Sequence, residues 1–282
     1  MSEILKIAVP NKGRLSEKIY GLLNNAGLIF PTKGERVLQV STKDGNYSVI
    51  FLRTQDIPRF VEKGVADVGF TGFDIVTELE SDVDKIYDLN FGVCDMVVAV
   101  KAEDLPDKIK VATSFPNIAK KYFEKIGKQT EITEVSGATE ITPRLGLSDV
   151  VVDITSSGST LKSNKLRIID TILSSSAVVI ARKDLSEELR EKTEVLLTAI
   201  QSVIDAEGKK YLMAHVPKTS LGKIKEFLPG LSSPTVTTLL DDDKNAVIHV
   251  VVDNEKVYES VHKLKQLGGQ GILIMTVDQM VR

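Results

Sequence analysis

The sequence predicts an α/β protein, a two-lobed region of mostly parallel sheet followed by a smaller ferredoxin-like domain of order βαββαβ. Three observations carry this. Short β-rich runs alternate with amphipathic segments over most of the chain. The 282 residues suggest two domains or three lobes at roughly 100–200 residues per domain. From about 210 the order changes to strand, helix, two strands, helix, strand.

The elements follow in order. "LKIAVP" (5–10) reads as a strand, and Leu15, Ile19, Leu22, Leu23 and Ala26 then recur at helical spacing. Strands "VLQVST" (37–42) and "YSVIFLR" (47–53) precede a short helix over 56–64. "ADVGFTG" (66–72) is a strand ending in glycine, with a helix from Phe73. "CDMVVAV" (94–100) and "KIKVAT" (108–113) are strands, followed by a helix near 116–127 that Pro116 and Asn117 cap. Next come strand "TEITEVS" (130–136), a helix near 139–147 and strand "DVVVDIT" (149–155). "LRIIDTIL" (166–173) and "SAVVIARK" (176–183) are strands, and a long helix spans 186–208. The chain thus crosses between lobes near 90–100 and returns near 175–183. This makes 1–95 with 180–208 one lobe, 96–179 the other and 210–282 a third domain, with a ligand cleft expected between the lobes. In the third domain, strands at 210–217, 235–241, 246–253 and 271–277 alternate with helices at 221–228 and 257–267.

Composition excludes several function classes. Net charge is −3, which implies no basic surface for nucleic acid. No apolar run approaches the roughly 18 residues of a membrane span, and the N-terminus reads as strand rather than signal peptide, so a cytoplasmic protein is expected. Cys94 is the single cysteine, a small buried filler, and rules out an intrachain disulfide. The only histidines are His215, His249 and His262. Chemistry in the first 214 residues therefore rests on carboxylates, Lys and Arg, hydroxyls, backbone amides or an oxygen-held metal, and not on a Ser-His-Asp triad. The run Asp241–Asp242–Asp243 reads as a solvated turn or a cation site.

The stretch "VVDITSSGSTL" (151–161) is the most informative. A strand ends near Asp153, a turn of small hydroxyl residues follows, and a helix starts. That order points backbone N–H groups outward, as a phosphate cradle does, and also as an ordinary Ser-rich cap turn does. Gly158 allows close backbone approach to an anion, while Ser157, Ser159 and Thr160 add hydroxyls. Asp153 repels phosphate and suits sugar hydroxyls beside it. No Walker motif occurs, and no G-x-G-x-x-G follows a strand.

The longer segment "EITPRLGLSDVVVDITSSGSTL" (140–161) resembles the signature of the ATP phosphoribosyltransferase family. Glu140, Gly146, Ser148, Val151, Asp153, Ser157, Gly158, Thr160 and Leu161 fill its places. "NKGRL" (11–15), "RTQDIPRFVEKGVADVGFTGFD" (53–74), "ATSFPNIAKKYF" (112–123) and "PGLSSPTV" (229–236) are similar to other parts of its long form. The resemblance implies a periplasmic-binding-protein-like catalytic region with a C-terminal regulatory domain. Its reaction would join adenine N1 of ATP to the anomeric carbon of phosphoribosyl pyrophosphate, releasing pyrophosphate with Mg²⁺, as the first step of histidine biosynthesis.

The resemblance also implies site residues. Glu140 and Asp153 would hold the ribose hydroxyls and serve catalysis. Thr155, Ser156, Ser157, Gly158, Ser159, Thr160 and Leu161 would form the phosphoribosyl pyrophosphate loop. Lys12, Gly13, Arg14, Arg53, Gly72 and Asp74 would lie on the ATP side. Histidine would bind as inhibitor near Leu231, Ser233, Thr235, Val250, Val251 and Gly271. Mg²⁺ would be carried by the phosphates, and the chain would form homo-oligomers, a dimer and a hexamer. Two readings compete with this one: a ligand-binding module of the same two-lobed architecture, and prephenate dehydratase, whose Thr-Arg-Phe motif is absent.

Overall fold

The apolar runs become the sheets of a computed structural model that describes residues 3–30, 38–101, 106–228, 230 and 233–281. β1 (Leu5–Pro10) leads into α1 (Ser16–Asn25). β2 (Gln39–Ser41) and β3 (Tyr47–Leu52) form a hairpin, then α2 (Ile57–Glu62), β4 (Val68–Gly72), α3 (Phe73–Leu79) and β5 (Asp84–Asp88) follow. β5 is not among the predicted strands. It is an edge strand, and its charged residues suit an open edge but hide the apolar pattern.

A second sheet takes β6 (Cys94–Val100), β7 (Lys108–Thr113), β8 (Gln129–Glu134), β9 (Val150–Thr155) and β10 (Arg167–Ser175), with α4 (Pro116–Lys125) and α5 (Ser159–Ser163) between strands. β11 (Ala177–Ala181) rejoins the first sheet, whose order is β2-β3-β1-β4-β11-β5, against β10-β6-β9-β7-β8 for the second. Two crossings between two α/β lobes give the connectivity of a periplasmic-binding-protein-like fold.

The sheets are mixed rather than mostly parallel. β1 pairs in parallel with β3 and β4, and β7 with β8 and β9. The strands at the crossings run the other way: β6 is antiparallel to β9 and β10, and β11 to β4 and β5. A strand that enters its sheet from the neighbouring lobe starts at the opposite end from the βα units, which reverses it. β6 and β9 are buried on both faces. Met96, Val98, Val150 and Val152 face α4, while Val97, Ala99 and Val151 face Leu161, which explains their unbroken apolar runs.

The predicted helix at 139–147 is a correction. Only a 3₁₀ turn, Thr139–Ile141, forms, followed by further turns. Pro143 has no N–H to continue a helix, Gly146 takes φ +74°, and the Thr142 hydroxyl donates to the Thr139 carbonyl at 2.7 Å.

α6 (Glu187–Ala206) contains a boundary between Leu197 and Thr198 that divides the chain into two compact units, Asn25–Gly27 going with the second. In the second unit, β12 (Lys209–Pro217), α7 (Leu221–Phe227), β13 (Thr235–Leu239), β14 (Asp242–Asp253), α8 (Val257–Gln266) and β15 (Gln270–Thr276) build an antiparallel sheet of order β13-β14-β12-β15. This is the ferredoxin-like arrangement. Leu212, Ala214, Ile248 and Val250 pack against Ile224 and Leu264 of the helices. At the β13–β14 turn the Asp242 carboxylate accepts the Lys244 and Asn245 amides at 2.9 and 3.1 Å, so it serves the turn. Among the described residues no helix is long and apolar enough to cross a membrane.

Candidate active site

The end of β9 organises the site. Strand alternation puts Asp153 on the face of Val151 and Leu161, and Ile154 on the face of Val152 and α4. Gly158 follows in the left-handed region at φ +71° and turns the chain into α5. Its N–H donates to Thr155 Oγ1 at 2.8 Å, and Ser157 Oγ donates to Ser159 Oγ at 3.0 Å. Ser156, Ser157, Ser159 and Thr160 are exposed around this turn. Leu161 is different: its side chain is 5% exposed and anchors the loop in the core, leaving only its backbone for a ligand.

Glu140 lies close enough to Asp153 for its charge to act there. Burial, then the charge of Glu140, push the Asp153 carboxyl above the usual carboxylate range, against the pull of the Ile154 amide at 2.8 Å. The Thr139 hydroxyl, fully buried beside Asp153, favours its ionised form but makes no hydrogen bond of normal geometry. A carboxyl whose folded pKa lies above its unfolded value of about 3.9 stabilises the fold below that value, and this contribution is lost as pH rises through the folded pKa. Removing the charge therefore costs no stability at neutral pH. Activity has the opposite requirement, and the acid limb of kcat/KM is expected to fall above the ordinary carboxylate range. A pH–rate profile checks this, and an acid limb near the free aspartate value contradicts it.

A cavity of about 680 Å³ lies between the lobes, at the carboxyl ends of strands from both sheets. Arg14, Gly72 and Asp74 of the predicted ATP side line it, as does Ile154, whereas Lys12 and Arg53 are exposed outside it. Arg14 is placed by the turn at Gly13, φ +101°, and donates to the Gly92 carbonyl at 2.9 Å and to Cys94 Sγ at 3.2 Å, at the first crossing. Burial raises the Cys94 thiol pKa, more than Arg14 lowers it. Asp74 is 2% exposed, and its Oδ1 accepts the Ser175 hydroxyl at 2.9 Å, at the second crossing. A Cβ on Gly72 would stand 2.2 Å from that same oxygen, so a side chain there would displace the Asp74 carboxylate.

Sequence reasoning missed Gln55, Asp56, Arg59, Glu78, Asn117 and Glu134 among the lining residues. One signal was available. Asp74 and Glu78 are like charges at i and i+4, an unfavourable pair on a solvated helix, and both prove buried.

On the second unit, Leu231 lies outside the described residues. Ser233 and Thr235 are exposed, and Thr235 pairs with His249. A Cβ on Gly271 would meet the His215 ring at 3.3 Å. Val250 points the other way, into the core at 4% exposure, so the two adjacent valines cannot both present side chains to one ligand.

The fold and site define a class: a two-lobed α/β protein with an exposed loop of hydroxyl residues after one strand and an interlobe cavity lined by charged side chains. The comparisons are more specific. The family profile described as "HisG: ATP phosphoribosyltransferase" matches residues 53–202, and "HisG, C-terminal domain" matches 206–279. The ATP phosphoribosyltransferase of Methanocaldococcus jannaschii is 42% identical over 289 residues, covering 99% of this chain and 100% of that one. That of Gemmatimonas aurantiaca is 43% identical over 294 residues, with the same coverage. In a solved "ATP phosphoribosyl transferase (HisG:HisZ) complex from Thermotoga maritima", a chain is 34% identical with TM-score 0.67, covering 72% of this chain and 100% of that one. The chain belongs to the ATP phosphoribosyltransferase family, the enzymes of the first step of histidine biosynthesis.

Proposed function

We propose that residues 155–161 cradle the 5′-phosphate of phosphoribosyl pyrophosphate, that Asp153 and Glu140 hold its ribose hydroxyls, and that ATP enters the interlobe cavity beside Arg14. The placement of Asp153, within reach of the charge of Glu140, at the strand end that opens into the hydroxyl loop turned by Gly158 supports this reading. Asp153 and Ile154 both stand at the carboxyl end of β9, so the loop and the cavity adjoin at one edge of the sheet, where two substrates can meet. The reaction needs no covalent nucleophile. Adenine N1 attacks the anomeric carbon, and the carboxylates stabilise an oxocarbenium-like transition state. Holding both anionic substrates in one cleft supplies orientation. Calorimetric titration of phosphoribosyl pyrophosphate with Mg²⁺ tests the loop. The wild type binds and Ser157→Ala binds more weakly. Equal affinity in both would sink the hydroxyl contact.

The family works with a divalent cation, and Mg²⁺ is the proposed one. Asp56, Asp74 and Glu134 give the cavity hard oxygen donors. The polyphosphates are proposed to bring most of the cation's ligands. When bound, the cation neutralises charge on the departing pyrophosphate.

The second unit is proposed as a histidine sensor, acting on a homo-oligomer that changes between dimer and hexamer. An effector shifts only an equilibrium whose states it binds differently, and a tenfold preference corresponds to about 1.4 kcal/mol. L-Histidine titrated into the full chain is expected to release heat and inhibit. A chain ending near Glu207, which lacks the strands and helices of the C-terminal sheet, is expected to do neither. Binding by the shortened chain, or no inhibition of the full one at millimolar histidine, overturns the assignment.

A further inference from the structure

α4 lacks a cap of its own. Its N-cap residue, Phe115, offers no side-chain acceptor, and Pro116 has no N–H. The exposed Asn117, expected from the sequence to help cap this helix, does not do so. The acceptors come from the other lobe. Glu78, near the end of α3, receives the Asn117 N–H on Oε1 at 2.9 Å and the Ile118 N–H on Oε2 at 3.0 Å. Asn117 Nδ2 donates back to the Glu78 carbonyl at 2.9 Å. One turn further along α4, Lys121 pairs with Glu80, just past the end of α3, at 2.9 Å on the exposed rim.

Glu78 is 9% exposed and has no cation partner among the described ion pairs, so both oxygens depend on α4. Burial and the nearby Glu134 and Glu80 all work against its charge and leave its pKa raised, and the two amides offset them only in part. Glu78 and Asn117 line the same interlobe cavity as Arg14 and Asp74. These bonds tie a helix of the first sheet to one of the second, away from the two covalent crossings at Leu89–Cys94 and Ser175–Ala177.

We propose that Glu78 is a latch between the lobes, capping α4 from α3 so that the cleft is held at the opening at which both substrates reach one another. It is a positioning residue for the transfer. This rests on the reading of the interlobe cavity as the ATP side of the site.

The test compares wild type, Glu78→Gln and Glu78→Ala as full chains, by hydrogen exchange and by steady-state kinetics. Glu78→Ala is expected to lose exchange protection about tenfold on both cavity walls, over 54–59 and 114–118. KM for both substrates rises together by about tenfold with kcat within about threefold, because binding must now also close the cleft. Glu78→Gln, which keeps one acceptor, falls between. Loss of protection confined to Asn117 and Ile118 with unchanged KM would reduce Glu78 to a helix cap and overturn the proposal, as would unchanged exchange in Glu78→Ala. A wild type that transfers no phosphoribosyl group would sink the functional reading instead, and the extent of exchange would still decide the latch.

Discussion

Asp153→Asn is expected to keep its fold and lose kcat/KM for phosphoribosyl pyrophosphate by about 10- to 150-fold, the equivalent of the ~1.5–3 kcal/mol of one charge-assisted hydrogen bond. The carboxyl sits at the end of β9, half-buried, with Glu140 beside it. Asparagine keeps an oxygen for the Ile154 amide and removes a charge that burial opposes. Its melting temperature at pH 7 should therefore equal or exceed that of the wild type. Activity and stability separate in this variant, and calorimetry with steady-state kinetics reads both. A large drop in melting temperature would show that the ionised carboxylate is structural. Unchanged kinetic constants would remove it from the ribose site.

Gly158→Val is expected to be more damaging still. The residue holds φ +71°, where a side chain other than glycine's costs roughly 1–2 kcal/mol and a β-branched one more. A Cβ there stands 3.6 Å from Ile168 Cδ1, which is ordinary contact, so the site has room for the atom but not for the backbone. The turn must relax, and its amides then no longer converge on one point. A loss of about 100-fold or more in kcat/KM is expected, since all the loop contacts weaken together. Ser159→Ala removes one hydroxyl among several and should cost less than about tenfold. Assays of the two variants side by side check the order. If Ser159→Ala were the worse, the loop would act through its hydroxyls and not as a close backbone cradle.

What could be read from the sequence follows physical range. Central strands such as β6 and β9 are apolar on both faces, and the loop of 155–161 advertises itself by residues that serve little else. The edge strand β5 is charged and carries no such pattern. The 139–147 segment has helical spacing, but Pro143 and Gly146 override it locally. Glu78 was legible only in part: its like-charge spacing with Asp74 hints at burial and does not name its partner. It caps a helix 39 residues away in another lobe, so nothing in its neighbourhood records the bond. Val250 and Val251 show the limit of resemblance: strand alternation alone separates them, one to the core and one to the opposite face.

The most direct measurement mixes the protein with ATP, phosphoribosyl pyrophosphate and Mg²⁺ and follows ultraviolet absorbance. Transfer to N1 changes the adenine chromophore, so absorbance should rise only when all three are present, with pyrophosphate formed in equal amount. Asp153→Asn should slow the rise without altering the product. Pyrophosphate released without a change in adenine absorbance, or no change with fully folded protein, would contradict the assignment of this cleft to phosphoribosyl transfer.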